Sequence, residues 1–212
     1  MPDKFPLSPL KLAVLISGAG TTLVNLLEKI AGGELDARVE VVVSSSADAG
    51  GLKHAGDAGI RTEIVQRSGF ANVEDFSREV FDRCREAEPH LIVMGGFLKL
   101  LRIPEDFENR VINIHPSLIP AFCGQGYYGL RVHEAVLDYG CKTTGCTVHL
   151  VDNQFDHGPI VLQQPVPVNE GDTPDKLARR VFAAECELYP RALRLFAAGK
   201  LEVKGRNVRV LD

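Results

Sequence analysis

The chain has 212 residues, 45% of them hydrophobic and 25% charged, with a formal net charge of −4. These are the proportions of a globular chain long enough to bury a substantial core without cross-links. The acidic balance and the lack of a Lys/Arg run argue against a nucleic-acid surface, so any phosphate recognition must be local.

In chain order, the apolar run LAVLI (12–16) reads as a first strand that ends at SGAG. Residues 21–31, TTLVNLLEKIA, carry apolar positions at helical spacing. VEVVVSS (39–45) is a second strand, 48–58 a helix and 61–65 a short third strand. VEDFSREVFDRCREAE (73–88) sets Val73, Phe76, Val80 and Phe81 on one helical face. HLIVMGG (90–96) and VINIH (111–115) are the fourth and fifth strands. Strands alternating with helices predict an α/β fold: a mostly parallel, Rossmann-like sheet flanked by helices on both faces. After about residue 140 the pattern changes. KTTGCTVHLVD (142–152) and PIVLQQPVPV (159–168), joined by the turn DHG, read as an antiparallel hairpin added to that sheet. A long helix follows, with Thr173 as N-cap and Pro174 at its first position. Leu177, Val181, Ala184 and Leu188 form its apolar stripe, Glu185 lies at the stripe's edge, and Pro190 should kink or divide the helix. The whole reads as a single domain over 1–212, with a nucleotide-binding half (about 10–115) and a second half (about 116–212).

Five cysteines without a CxxC pair fit reduced thiols. The N-terminal MPDKFPLSPLKL lacks the apolar segment of a signal peptide, and no run reaches the ~18 apolar residues of a membrane helix. A cytoplasmic location with no membrane partner is expected.

Two segments carry candidate chemistry. In SGAGTTL (17–23), glycines between a strand and a helix let backbone N–H groups approach a phosphate at the helix N-terminus. The full GxGxxG and Walker patterns are both absent, which leaves a single phosphate monoester on Gly20, Thr21 and Thr22, or a tight turn that binds nothing. In VINIHPSLIP (111–120), Asn113 and His115 stand two residues apart on a strand and so project from one face. Pro116 ends that strand, which puts both at its C-terminal end, where open α/β sheets bind ligands. Asp156, in the DHGP turn, could orient the imidazole or serve only as a turn residue. No Ser or Cys sits in a nucleophile-elbow context, so direct transfer of a carbonyl group to an amine fits better than a covalent intermediate. His149 could support this site or simply pack. His54, His90 and His133 read as structural or exposed, and His157 is left unassigned. No histidine pair has metal-ligand spacing, so no metal is expected.

The segments LISGAGTTL, MGGFLKLL, NIHPSLIP, GCTVHLVD, DHGPIVLQ and AAECELYP fall in this order between residues 15 and 190. Together they resemble the phosphoribosylglycinamide formyltransferase family, the folate-dependent enzymes of purine synthesis. The resemblance implies formyl transfer from the co-substrate 10-formyltetrahydrofolate to the amine of glycinamide ribonucleotide. It implies a catalytic trio of Asn113, His115 and Asp156. Asn113 and protonated His115 would hold the oxyanion, with Asp156 raising the His115 pKa. Gly20, Thr21 and Thr22 would bind the phosphate, and Glu185 the glycinamide end. Leu98, Lys99, Leu101, Val151, Asp152 and Asp156 would hold the folate. The loop CGQGYYGLRVH (123–133) is longer than is usual in the family, and Arg67 or Arg78 would meet the folate's glutamate tail. Within the superfamily, a formyltetrahydrofolate hydrolase and formyltransferases acting on sugar nucleotides or initiator tRNA are the alternatives. A non-catalytic nucleotide-binding module would need the glycine loop but not the trio.

Overall fold

The structure, a computed structural model, describes residues 5–212. The first four residues of the N-terminal stretch read above lie outside the described residues. Strands β1 (Leu10–Ile16), β2 (Ala37–Ser44), β3 (Arg61–Ile64), β4 (Leu91–Met94) and β5 (Val111–His115) form the parallel part of one sheet, in the order β3-β2-β1-β4-β5. Helices α1 (Thr21–Ala31), α2 (Gly51–Asp57) and α3 (Val73–Arg85) are the first three in the chain. Strands β6 (Thr143–Leu150) and β7 (Ile160–Pro167) extend the sheet antiparallel, as the hairpin reading expects.

Strands covered on both faces must be apolar at nearly every position. In β1, Leu12, Val14 and Ile16 face a core built with Leu23 and Leu26 of α1 and with the long helix α5 (Pro174–Ala197). Ala13 and Leu15 face a second core built with Phe76, Val80 and Phe81 of α3 and with Phe97, Leu101 and Phe107. The alternation is the period of two of an extended chain.

Helix α5 begins as expected, with the Thr173 hydroxyl accepting the Lys176 N–H and Pro174 at the first turn. Pro190 does not divide it: α5 runs unbroken for 24 residues. A proline there forgoes one helical hydrogen bond, and the burial of Leu188, Tyr189, Ala192, Leu193 and Phe196 around it offsets that loss. The fully buried Tyr189 donates its hydroxyl towards two strand carbonyls, Met94 O (3.1 Å) and Ile112 O (2.9 Å).

Two features depart from the expectation. The loop after the fifth strand is shorter than read, because Leu130 to Asp138 form helix α4 and take Leu130–His133 out of it. After α5 the chain adds a hairpin, β8 (Leu201–Lys204) and β9 (Asn207–Val210), turned at Gly205 with φ +59°. It joins the sheet edge through Ile160 and Asn207. No helix among the described residues is long and apolar enough to cross a membrane.

Candidate active site

The C-terminal ends of β1, β4 and β5 open into one cleft of about 1150 Å³. That exceeds the ~300–1,000 Å³ typical of a site for one small ligand. Its walls come from the β1–α1 turn (Ala19, Thr21, Thr22), the segment after β4 (Gly96, Phe97, Leu98), Asn113 and His115, the 124–130 loop, and one face of α5 (Asp175, Ala178, Phe182, Glu185).

Asn113 and His115 project side by side, as their spacing requires. The antiparallel register of β5 and β6 places His149 directly opposite Asn113. His149 is 1% exposed, and its Nδ1–H donates to Leu150 O at 2.8 Å. Its Nε2 accepts from Asn113 Nδ2 at 3.2 Å and stands 3.7 Å from Asp156 Oδ1. This fixes which way the Asn113 amide points. Its second Nδ2 hydrogen reaches only weakly to Asp156 Oδ1, at 3.5 Å, a length at which little hydrogen-bond energy remains. That hydrogen is available to an incoming oxygen.

Asp156 lies in the 152–157 turn at φ +50°, a backbone region that Asp tolerates better than most residues. The Gly124 N–H donates to its Oδ2 at 2.9 Å. The same oxygen lies 3.4 Å from His115 Nδ1, close enough for a strong charge interaction with a protonated ring but long for a hydrogen bond. Burial pushes the Asp156 carboxyl up, but the neighbouring His149, the charge of His115 and the Gly124 N–H outweigh it, and the net pKa is lowered. Asp156 is ionised at neutral pH.

His115 departs from the expected protonated state. Burial depresses its pKa, and the opposing effects of Asp156 and the Phe122 carbonyl do not restore it, so the ring titrates below its ordinary value. Its Nε2 lies 2.9 Å from Phe122 O. In the neutral ring that nitrogen is the N–H donor, and Nδ1 meets Asp156 with a lone pair. Asp156 acts in the expected direction, but desolvation is the larger effect.

Across the cleft, Glu185 has no hydrogen-bond partner among the described residues, and burial pushes its pKa up to about 7. Thr21 and Thr22 begin α1, whose first turn carries no acidic residue and no side-chain cap. Gly20 does not line the cleft. It sits at φ +77° with its α-hydrogens against α2: a β-carbon there would fall 2.5 Å from Gly51 Cα. Close backbone packing thus requires glycine at this position, whatever the turn binds. Leu98 lies in the cleft wall and is half exposed. Lys99, Leu101, Val151, Asp152 and Asp156 surround a small side pocket that shares Phe97, Asn113, Phe155 and Asp156 with the cleft. Five of the six residues expected to hold a folate thus line one pocket with Asn113, and the sixth, Leu98, lines the adjoining cleft. Arg67 and Arg78 are engaged elsewhere, with Phe70 O and Asp75.

A family profile described as "Formyl transferase" matches residues 10–193. The phosphoribosylglycinamide formyltransferase of Escherichia coli (strain K12) is 35% identical over 205 residues, covering 96% of this chain and 94% of that protein. The chain belongs to the phosphoribosylglycinamide formyltransferase family. A crystal structure of glycinamide ribonucleotide transformylase 1 from Symbiobacterium toebii superposes with a TM-score of 0.89 at 42% identity, covering 96% of this chain and 94% of that one. The trifunctional purine biosynthetic protein adenosine-3 of Gallus gallus is 38% identical over 202 residues. The chain spans 20% of that longer relative.

Three histidines gain a definite place: His149, read as supporting the site or simply packing, His133, read as structural or exposed, and His157, left unassigned. His149 orients Asn113, and the signal was available: residues facing across a hairpin are neighbours once the register is known. His133, read as structural or exposed, lies on α4, is 4% exposed and lines the cleft. His157 pairs with Asp152 at 2.6 Å and meets Arg206 of the β8–β9 turn, so the C-terminal hairpin braces the 152–157 turn.

Proposed function

We propose that the protein transfers the formyl group of 10-formyltetrahydrofolate to the amine of glycinamide ribonucleotide, a step of purine biosynthesis, acting as one formyltransferase unit in the cytoplasm. The observation that carries this reading is the convergence of Asn113, His115 and Asp156 at a cleft large enough for two small substrates together.

The acceptor runs from the start of α1 to the end of β5. These strands are two places apart in the sheet, roughly 10 Å at about 4.8 Å per strand. That spacing suits a ribose phosphate bearing a short amide. Its phosphate meets the backbone N–H groups of Gly20, Thr21 and Thr22, where the helix dipole favours an anion. Glu185, half-protonated near pH 7, accepts the glycinamide end. The folate enters against Leu98, Lys99, Leu101, Val151, Asp152 and Asp156, and presents its formyl carbon beside Asn113.

The acceptor nitrogen attacks that carbon, and a carbon–nitrogen bond forms as the carbonyl electrons move to oxygen. The free Nδ2 hydrogen of Asn113 donates to the oxyanion. The growing negative charge raises the proton affinity of neutral His115, which takes up through water the proton lost by the acceptor amine, and Asp156 stabilises the imidazolium until that proton moves on. The tetrahedral centre then collapses. The bond to folate N10 breaks with its electron pair, and the proton lost by the acceptor amine ends on N10, relayed through water beside Asp156. No side chain becomes covalently attached.

The test is an absorbance assay of the purified protein with 10-formyltetrahydrofolate and glycinamide ribonucleotide, with water alone as the control acceptor. Folate release that requires the ribonucleotide is expected. Equal release with water alone would replace transfer by hydrolysis, and no release in either arm would overturn the reading.

A further inference from the structure

Two buried side-chain polar atoms among the described residues have no hydrogen-bond partner, Thr144 Oγ1 and His133 Nδ1. Thr144 stands on β6 away from the cleft. His133 lines it. The His133 ring makes no hydrogen bond through either nitrogen among the described residues, although the residue is 4% exposed. A buried side chain that makes no hydrogen bond through either nitrogen while lining a cavity leaves its open nitrogen, Nε2, for a bound group.

The ring's chemistry narrows what that group is. Burial and the nearby charge of His115 both lower the His133 pKa, so the imidazole is neutral and holds one N–H. An enclosed lone pair is tolerated better than an enclosed N–H. The proton therefore sits on Nε2, the nitrogen that is not enclosed, and Nδ1 turns its lone pair inward. His133 thus offers the cleft one hydrogen-bond donor and no net charge, which suits a neutral oxygen better than a phosphate. Its electrostatic neighbour is His115, at the end of β5, so it serves the reacting end of the cleft, with the glycine loop two strands away.

We propose that His133 is a substrate-contacting residue that donates a hydrogen bond from Nε2 to the amide carbonyl oxygen of the formyl acceptor, holding the acceptor's amine against the formyl carbon. The inference rests on the function proposed above and adds a residue to its acceptor site.

The test combines kinetics with spectroscopy. His133→Phe keeps the ring's bulk and removes both nitrogens, and His133→Asn restores a donor. The KM for glycinamide ribonucleotide should rise about tenfold in His133→Phe, the loss of one neutral hydrogen bond. The KM for the folate should stay within about twofold of wild type, and His133→Asn should recover part of the loss. In the wild-type protein, the ring ¹⁵N signal that disappears in His133→Phe should shift on saturation with glycinamide ribonucleotide alone. It should not shift with a non-reactive folate. A folded His133→Phe protein with unchanged acceptor KM would overturn the inference, as would a ring signal that answers only to the folate. If neither variant folds, the wild-type ring signal, assigned through its bonds to the His133 backbone, still decides the question on saturation with each substrate. Absence of formyl transfer in the wild-type protein would overturn the functional reading instead, a separate result from an unaffected variant of an active enzyme.

Discussion

Asp156 Oδ2 stands 3.4 Å from His115 Nδ1 but accepts its hydrogen bond from Gly124, at 2.9 Å. The carboxylate is thus held by the backbone of the 124–130 loop and acts on the imidazole mainly through charge. Replacing it by Asn removes the charge and keeps the size. The His115 pKa, already depressed by burial, should fall further in Asp156→Asn. Turnover should drop by about 10²-fold, in the range for losing one group that stabilises developing charge. Histidine NMR titration of the two proteins is the measurement, and an imidazole that titrates at the same or a higher pH in the variant would remove this role from Asp156.

His149 should act on turnover through Asn113. In His149→Gln the lock on the Asn113 amide is lost, because a side-chain amide cannot reproduce both the Leu150 and the Asn113 contacts. The kcat should fall about tenfold while the KM for glycinamide ribonucleotide changes little, the pattern of an interaction that matters only in the transition state. Steady-state kinetics with each substrate varied in turn would show it. A change confined to KM would argue against the positioning role.

Glu185 leaves a signature in stability. Its pKa is raised by burial to about 7 in the fold and is near 4.3 in an unfolded chain. The folded protein therefore binds the extra proton between these values. The resulting stabilisation is complete below the unfolded pKa and is lost as pH rises through about 7. Glu185→Gln should match wild type in urea unfolding at pH 4 and exceed it at pH 8 by on the order of 3 kcal/mol. An equal difference at both pH values would show that the carboxyl is not held in this environment.

Three histidines work in the other direction. Burial lowers the pKa of His90, His115 and His133, so the unfolded chain binds more protons as pH falls below about 6.5. Their contribution is present above that value and is lost as pH falls through their folded pKa values. The Glu185→Gln protein, freed of the opposing carboxyl, should lose stability between pH 7 and 5.5 more steeply than wild type. Thermal melts across that range are the check.

Gly20→Ala should destabilise the fold before it affects binding. The added carbon would meet Gly51 Cα at 2.5 Å, from a backbone held at φ +77°, a combination of overpacking and strain that costs roughly 1–3 kcal/mol. Gly18→Ala, with nothing within 4 Å of the added carbon, is the control, and equal melting temperatures for the two variants would contradict this packing.

The parallel half of the sheet was legible because strands buried on both faces must be apolar nearly throughout, and VINIH kept its boundaries to the residue. The pairing of Asn113 with His115 was legible from the period of two. The β8–β9 hairpin was not, because its strands are four residues long and only Leu201 is buried, which leaves little alternation to read. Pro190 does not divide α5, because a local rule about helices yields to burial on a packed face. The approach of Gly20 to Gly51, and of His133 to the cleft, depends on how helices dock across the sheet, which no local pattern encodes. The His115 protonation state followed the same course: the motif names its partner, but only the three-dimensional structure gives the depth of burial that outweighs it.

The hydroxyl of Tyr189 reaches the carbonyls of both Met94 and Ile112. Tyr189 stands one helical turn beyond Glu185 on α5, and Ile112 immediately precedes Asn113 on β5. One phenol therefore ties the α5 wall of the cleft to the strand that carries Asn113. The two halves of the cleft behave as the jaws of a calliper with a single set-screw. A helix free to slide along its own axis would carry Glu185 out of register with Asn113 long before the core loosened.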